Sequence, residues 1–341
     1  MVIPDSPFRY NGPSSPLLGK RRVHLALVAN RNVNHEPDFV RMVEFLREID
    51  PKIRPFLISD RRKGVFQLLP LALRPTLMFS PTPLRRFRPL RGPVFAGHSL
   101  PKSEEYRRLE ALGFPVPKWK LVSDEEPDLS DFGPYVVTKP DRGMRGAMVK
   151  IQKKGRVRKK KQPSLAATKG EKDRFGPKVT GDGPILAQEF IYTGKWPVNH
   201  RVTTLFGQVI HSFHQEASNE RAPLEGPEAF GKMPGDQGVS IVASSKGCKM
   251  RFNYDEEIIR LGEAAHAAFP EIPLLGIDIV RDANTGKLYI LEVNSVGYVW
   301  HFSSPMGLRF QNEFGFRLEE QFDGLRKAAH ILAAKAQELA R

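Results

Sequence analysis

One stretch, LGIDIVRDANTGKLYILEVNS at residues 275–295, constrains the chain more than any other. Two apolar runs, 275–280 and 288–293, flank the turn residues 282–286, and Asn-Thr-Gly between β-rich runs is a hairpin signal. Each run carries a carboxylate where a buried strand calls for another aliphatic side chain: Asp278 in the first, Glu292 in the second. Side chains alternate faces along a strand, so Glu292 and Asn294 share one face and Asp278 can pair across onto it. A solvated sheet face would account for the alternation alone. Ile277, Ile279, Ile290, Leu291 and Val293 leave little room for one. Buried carboxylates are costly unless paired or bound to metal. Three oxygen-bearing side chains converging on one face suit magnesium or manganese, which complete their shells with water and phosphate oxygens. Asp278, Glu292 and Asn294 are therefore the candidate metal ligands, and the rest of the chain has to supply a grip on phosphate.

The chain has 341 residues, enough for two or three domains with substantial cores. It contains no apolar run of the ~18 residues a membrane helix needs, so no membrane partner is expected. Its N-terminus, MVIPDSPFRYNGPSSP, lacks the apolar core of a signal peptide, which points to the cytoplasm. Cys248 is the single cysteine, excluding a disulfide framework and a cysteine-cluster metal site. The formal charge is +15, with 53 Lys and Arg against 38 Asp and Glu. Seven of the nine residues in KKGRVRKKK, 153–161, are basic. Such runs are usually solvated, and the Gly, Pro, Ser and Thr content through residue 183 reads as a flexible insertion over 152–183. No aromatics interleave the charges to stack bases, which argues against a nucleic-acid partner.

Alternating strand and helix patterns over 21–97, after a Pro/Ser/Gly-rich tail at 1–20, predict a small parallel α/β domain. It contains RVHLALVAN, a helix over 37–49, IRPFLISD, PTLMFSP and GPVFAG. VANRNVNH carries no glycine-rich dinucleotide fingerprint, so no nucleotide is placed there. A helix follows, with Ser103 as its expected cap, Glu104 and Glu105 at its positive end and Gly113 as its stop. Then come the strands YVVTKP, a segment containing Lys150, and ILAQEFI, and next HRVTTLFGQVIHSFHQEA as two strands turning at residues 206–208. Residues 218–240 read as a Gly/Pro-rich loop, 255–269 as a helix, and 317–340 as one closing helix. Lys139 ends an apolar strand and precedes a turn with Gly143 and Gly146, which can bring backbone N–H groups close to phosphate.

Taken in order, LGFPVP, VVTKPDRGMRGAMVKI, AQEFI, HRVTTLFGQVI and GIDIV…LYILEVNS resemble the ATP-grasp superfamily. The likeness covers roughly residues 97–300 and is nearest to the branch with ribosomal-protein glutamate ligases and D-alanine–D-alanine ligases. It implies a mixed α/β and α+β fold. The N-terminal α/β domain, 21–97, would be followed by subdomains at 98–191 and 192–341 that sandwich ATP. It also implies a ligase that activates a carboxylate as an acyl phosphate for attack by an amine, with small-molecule or peptide substrates. A kinase acting on an anionic small molecule and a non-catalytic nucleotide-binding protein are the alternatives. The oligomeric state is left open, a homodimer included.

The resemblance implies roles residue by residue. Lys139 and Lys102 would hold nucleotide phosphates, and Gly143, Gly146 and Lys150 would belong to the loop closing over them. Gln188, Glu189, Phe190 and Ile191 would read the adenine edge. Arg201 would face the transferred phosphate, making Arg201 and Lys139 the candidate catalytic pair. Arg221, Lys232, Tyr298, Trp300 and His301 are candidate walls of a substrate site under the 218–240 loop, with His301 read first as a packed histidine. Two departures stand out: Lys195 and Trp196 lie where many members carry an acidic ribose contact, and Gly276 replaces an arginine found in D-alanine ligases. Arg281 is left out of the site. In the metal-free protein the sequence makes Glu292→Gln neutral or mildly stabilising, through relieved repulsion with Asp278.

Overall fold

Buried apolar runs become strands, and the elements sort into three sheets. The computed structural model describes residues 22–30, 33, 35–59, 71, 74–84, 91–122, 127–142, 149–157, 184–217, 248–296 and 299–340. The tail at 1–20, Gly143, Gly146, the 218–240 loop with Arg221 and Lys232, Tyr298, and residues 158–183 lie outside them. The first sheet is parallel, in the order β2-β1-β3-β4: β1 Val23–Ala29, β2 Ile53–Ser59, β3 Thr76–Ser80 and β4 Val94–Ala96. Helix α1, Glu36–Ile49, opens with Pro37 and the acidic pair Glu36 and Asp38, and ends near Arg47, as the helix dipole favours. The small parallel α/β unit expected from the sequence is present.

Helix α2, Lys102–Ala111, leads into an antiparallel sheet, β5-β8-β6-β7: β5 Trp119–Val122, β6 Tyr135–Pro140, β7 Lys150–Lys153 and β8 Ile185–Glu189. Ser103 does not cap α2. The helix starts two residues earlier than that cap would give, at Lys102, because Asp141, just past β6, satisfies its free N–H groups. Ser103 N–H donates to Asp141 Oδ1 at 2.8 Å and Lys102 N–H to the Asp141 carbonyl at 2.9 Å. Gly113 does end the helix, at φ +75°. Residues 152–157 belong to β7 and a packed turn, not to an insertion: Val157 is buried with Val122, Leu129 and Phe132. Lys154 Nζ donates to the Ser130 and Phe132 carbonyls.

The third sheet is antiparallel, β11-β10-β9-β12-β13: β9 Val198–Leu205, β10 Gln208–Ala217, β11 Cys248–Phe252, β12 Leu274–Arg281 and β13 Leu288–Asn294. Positive φ at Phe206 (46°) and Gly207 (82°) makes the β9–β10 turn that the strand twist favours. Helix α3, Glu256–Ala265, is capped by the Asp255 carboxylate and lies on one face of this sheet. Gly262 is required there, since a Cβ would come within 2.7 Å of the Val202 side chain.

Helix α4, Pro305–Phe314, and strand β11 were not legible as regular patterns. The single closing helix expected over 317–340 is broken. A 3₁₀ turn, Leu318–Asp323, precedes helix α5, Gly324–Leu339, with positive φ at Phe322 and Asp323. Tertiary bonds impose the break. Gln321 accepts from Ser212 N–H at 2.6 Å and donates to the Asn253 carbonyl at 2.8 Å. Helix α5 then fills the space between the first sheet and the second face of the third, in one core with Leu25, Leu27, Met42 and Leu46. Among the described residues no helix is long and apolar enough to cross a membrane.

Asp38 fastens this arrangement. Its buried carboxylate accepts from Trp300 Nε1 at 2.7 Å and Ser303 Oγ at 2.5 Å, and burial pushes its carboxyl up to about 6. The Trp300 ring packs edge-on to Phe39. Asp38→Ala leaves the indole N–H without its acceptor and should lower unfolding free energy by about 2 kcal/mol, measured by urea denaturation.

Candidate functional site

The register of three strands assembles the centre of the site. Asp278 on β12 lies opposite Arg201 of β9 on one side and Glu292 of β13 on the other. Directly opposed residues on an antiparallel pair share a face, so Arg201, Asp278 and Glu292 form a row. A bulge follows, with Leu291 as the extra residue on β13, and brings Ile290 onto the apolar side opposite Ile279. Arg201 grips Asp278 with both prongs, Nε to Oδ1 at 2.8 Å and Nη2 to Oδ2 at 2.6 Å. Asn199 Nδ2 donates to Oδ1 at 3.2 Å. Asn294 Nδ2 donates to Oδ2 at 3.0 Å and to the Gly276 carbonyl at 3.2 Å. Burial works against the Arg201 charge, but Asp278 more than offsets it and holds the guanidinium above its usual range.

Two lysines arrive from the second sheet and its helix. Lys102, in the first turn of α2, places Nζ 2.5 Å from Glu292 Oε1. Lys139, near the end of β6, is buried and donates to the Tyr106 hydroxyl and the Leu291 carbonyl, both at 3.1 Å. The Tyr106 oxygen also lies 2.8 Å from Gln188 Oε1 and 2.5 Å from the Leu291 carbonyl. One phenol thus touches residues from β6, β8 and β13. Burial lowers the Lys139 ammonium to about 8, with Lys102 adding to the effect and Glu292 opposing it. Burial acts the same way on Lys102, but Glu292 and Glu105 win and raise it. For Glu292 burial favours the neutral acid, yet Lys102 and Lys139 hold the carboxyl down to about 2. Glu105 is fully enclosed and pushed up to about 8 by burial; Val293 N–H donates to it at 3.4 Å.

The structure therefore brings together Lys102, Lys139, Gln188, Arg201, Asp278, Glu292 and Asn294. Glu189, Phe190 and Ile191 follow directly at the end of β8, half-buried. The N–H groups of Glu189 and Phe190 bond to the Lys118 and Tyr135 carbonyls. Lys150 is exposed on β7, the outer strand of its sheet, opposite Thr138. Trp300 and His301 are fully buried, Trp300 against Asp38 of α1. Arg281 bonds Asp255 and Glu257 of the α3 turn, at 2.9 and 2.7 Å, and stays outside the site. Three contributors were missed. Glu105 and Tyr106 lie three and four residues after Lys102, on the same helix face. Asn199 lies two before Arg201 on the same strand face. Those spacings were available once Lys102 and Arg201 were chosen.

Among the described residues no group of three His, Cys, Asp or Glu side chains forms a metal cluster. The hairpin offers instead two opposed carboxylates and a side-chain amide. Asn294 spends its Nδ2 inside the site and keeps Oδ1 as its acceptor atom. An all-oxygen set of low denticity fits magnesium, which retains several waters or phosphate oxygens.

No protein-family model and no curated protein sequence matches the chain. Solved structures do. The D-alanine–D-alanine ligase of Bacillus anthracis aligns over 92% of this chain and 99% of its own, at 12% identity and TM-score 0.45; another structure of it is complexed with ATP. D-cycloserine synthetase DcsG aligns over 92% and 99%, at 15% identity and TM-score 0.49. The ATP-grasp ligase PsnB, complexed with a precursor variant, Mg and ADP, aligns over 91% and 98%, at 15% and 0.49.

The Lys102–Glu292 pair reverses the expectation for Glu292→Gln in the metal-free protein. Glu292 faces a cation before it faces Asp278, so glutamine removes the partner of a buried ammonium. The variant should be less stable by about 2 kcal/mol at pH 7, measured by chemical denaturation. A carboxyl depressed on folding contributes fully above its ordinary value of 4.5 and loses that contribution as pH falls toward about 2. The gap between wild type and variant should therefore narrow across that window.

Proposed function

We propose that this chain is an ATP- and magnesium-dependent ligase of the ATP-grasp kind, joining a carboxylate to an amine with release of ADP and phosphate. One observation carries the reading. Three cations, Lys102, Lys139 and Arg201, converge on the opposed carboxylates Asp278 and Glu292 in the row set by β9, β12 and β13, and Gln188 is tied to the same cluster through Tyr106. On this reading residues 21–97 form the N-terminal domain, and 98–191 and 192–341 are the lobes that enclose the nucleotide.

Asp278, Glu292 and Asn294 would hold magnesium, which when bound neutralises phosphate charge. Lys139 and Lys102 bind phosphate oxygens, leaving Leu291 and Glu292 as they do so. Gln188, with the strand end at 189–191, takes the adenine edge. Arg201, oriented by Asp278, faces the charge that develops as the phosphoryl group moves. The substrate carboxylate oxygen attacks the γ-phosphorus, and ADP departs. The amine lone pair then attacks the acyl carbon, the carbon–oxygen bond to phosphate breaks, and the amine gives up one proton. No enzyme nucleophile is needed. The full set of Lys139, Asp278, Glu292 and Asn294 speaks against a protein that only binds nucleotide.

Incubation with Mg·ATP and pooled carboxylates and amines, followed by mass spectrometry, should detect ADP and an amide; a phosphorylated acceptor would instead mark a kinase. Mg·ATP at a hundred times its Kd should stabilise the fold by about 2.7 kcal/mol, with a matching rise in Tm. Lys139→Met and Glu292→Gln should each reduce ADP formation by a factor on the order of a hundred.

A further inference from the structure

Buried polar atoms in folded proteins nearly always have a partner, and those without one call for an explanation. Among the described residues ten buried side-chain nitrogens and oxygens lack a hydrogen-bond partner. Six of them lie on the face of the third sheet that carries Arg201: Asn199 Oδ1, Thr203 Oγ1, and both ring nitrogens of His211 and of His301, the His301 ring having only a weak approach to the Val299 backbone. Asn199 and Thr203 sit two residues either side of Arg201 on β9. His211 lies directly opposite Thr203 on β10, one row beyond the Arg201–Asp278 pair. His301, just after the hairpin, completes the group with its ring centroid 5.6 Å from that of His211. Phe213, Phe302 and Phe310 enclose the two imidazoles. Thr203, His211 and His301 are all fully buried.

A tightly packed apolar cluster has no use for five such atoms in one place, because each one left without a partner costs stability. We propose that His211, His301 and Thr203 form the subsite that receives the acceptor substrate's amine, held uncharged beside Arg201. The assignment deepens the ligase reading and rests on it for the amine's role. The wall chemistry selects the ligand. Neutral imidazoles each present one N–H and one bare nitrogen, and the threonine hydroxyl also donates and accepts. An uncharged amine has the same dual character. A carboxylate would need an available cation, but Arg201 has both prongs on Asp278 and Lys102 is paired with Glu292. An ammonium ion would meet no carboxylate among His211, His301 and Thr203, and would sit in an apolar shell beside a guanidinium. The form favoured there is the uncharged amine, the form that attacks an acyl phosphate. Burial, with Arg201 adding to it, also keeps both imidazoles neutral at physiological pH.

The test uses the full chain and hydroxylamine, an amine uncharged at neutral pH, with acetate as the control. Side-chain imidazole NMR should show saturable shifts of the His211 and His301 signals with hydroxylamine and none with acetate. The affinity of so small a probe is roughly millimolar or weaker. Thr203→Val should weaken the titration about tenfold, and His211→Phe should abolish the His301 shift. Both variants should melt at or above the wild-type temperature, because the atoms removed have no protein partner to lose. Absence of a saturable shift, an equal shift with acetate, or an unchanged titration in Thr203→Val would overturn the proposal and leave the imidazoles satisfied by water or ring faces alone. The titration needs no nucleotide, so it is separable from the ligase reading. Amine binding without Mg·ATP stabilisation would sink the ligase alone; Mg·ATP stabilisation without amine binding would sink the subsite alone.

Discussion

Asp278 carries a charge in the interior of a sheet, and the protein around it is arranged to make that tolerable. A buried carboxylate without partners is far more costly than any single packing contact. Here it has Arg201 in a two-pronged bond and Asn199 and Asn294 as further donors. Each partner comes from a different position of β9 or β13, so the strands cannot slip by one residue without stranding the charge on the apolar face. The bulge at Leu291 belongs to the same solution, since it lets β13 bury Ile290 below, beside Ile279, while keeping Glu292 above.

The second carboxylate extends the constraint across the molecule. Glu292 is held by Lys102, which hangs from the first turn of α2, and α2 is anchored by Asp141 at the end of the strand that carries Lys139. The lysines therefore arrive in the site with partners already in place: Glu292 for one, Tyr106 and the Leu291 carbonyl for the other. Incoming phosphates exchange these partners and do not have to extract bare cations from water. Behind the hairpin, Trp300 and Ser303 bond Asp38 of α1, and α5 shares a core with the first sheet. The N-terminal unit thus holds the segment that follows Asn294.

Much of this was legible from spacing. The period-two placement of Glu292 and Asn294, opposite Asp278, marks the polar row. The parallel unit at the N-terminus, the β9–β10 turn and the presence of helix α3 follow from local patterns that the structure leaves intact. The missed parts share a cause. Ser103 loses its capping role to Asp141, thirty-eight residues away in sequence. The expected closing helix breaks where Gln321 is drawn to Ser212 and Asn253. In both places a distant partner outcompetes the local preference, which is worth only about 1 kcal/mol.

The sequence by itself determined which residues bear charge in the hairpin, which face they occupy, and the order of the elements, because these depend on alternation and turn chemistry between near neighbours. Only the tertiary structure decided what each charge meets. Nothing in the local pattern pairs Lys102 with Glu292, or places Tyr106 between Lys139 and Gln188, or gathers His211, His301 and Thr203 beside Arg201. These contacts join residues brought together by sheet register and helix docking, and buried charge depends on the partner at a few ångströms.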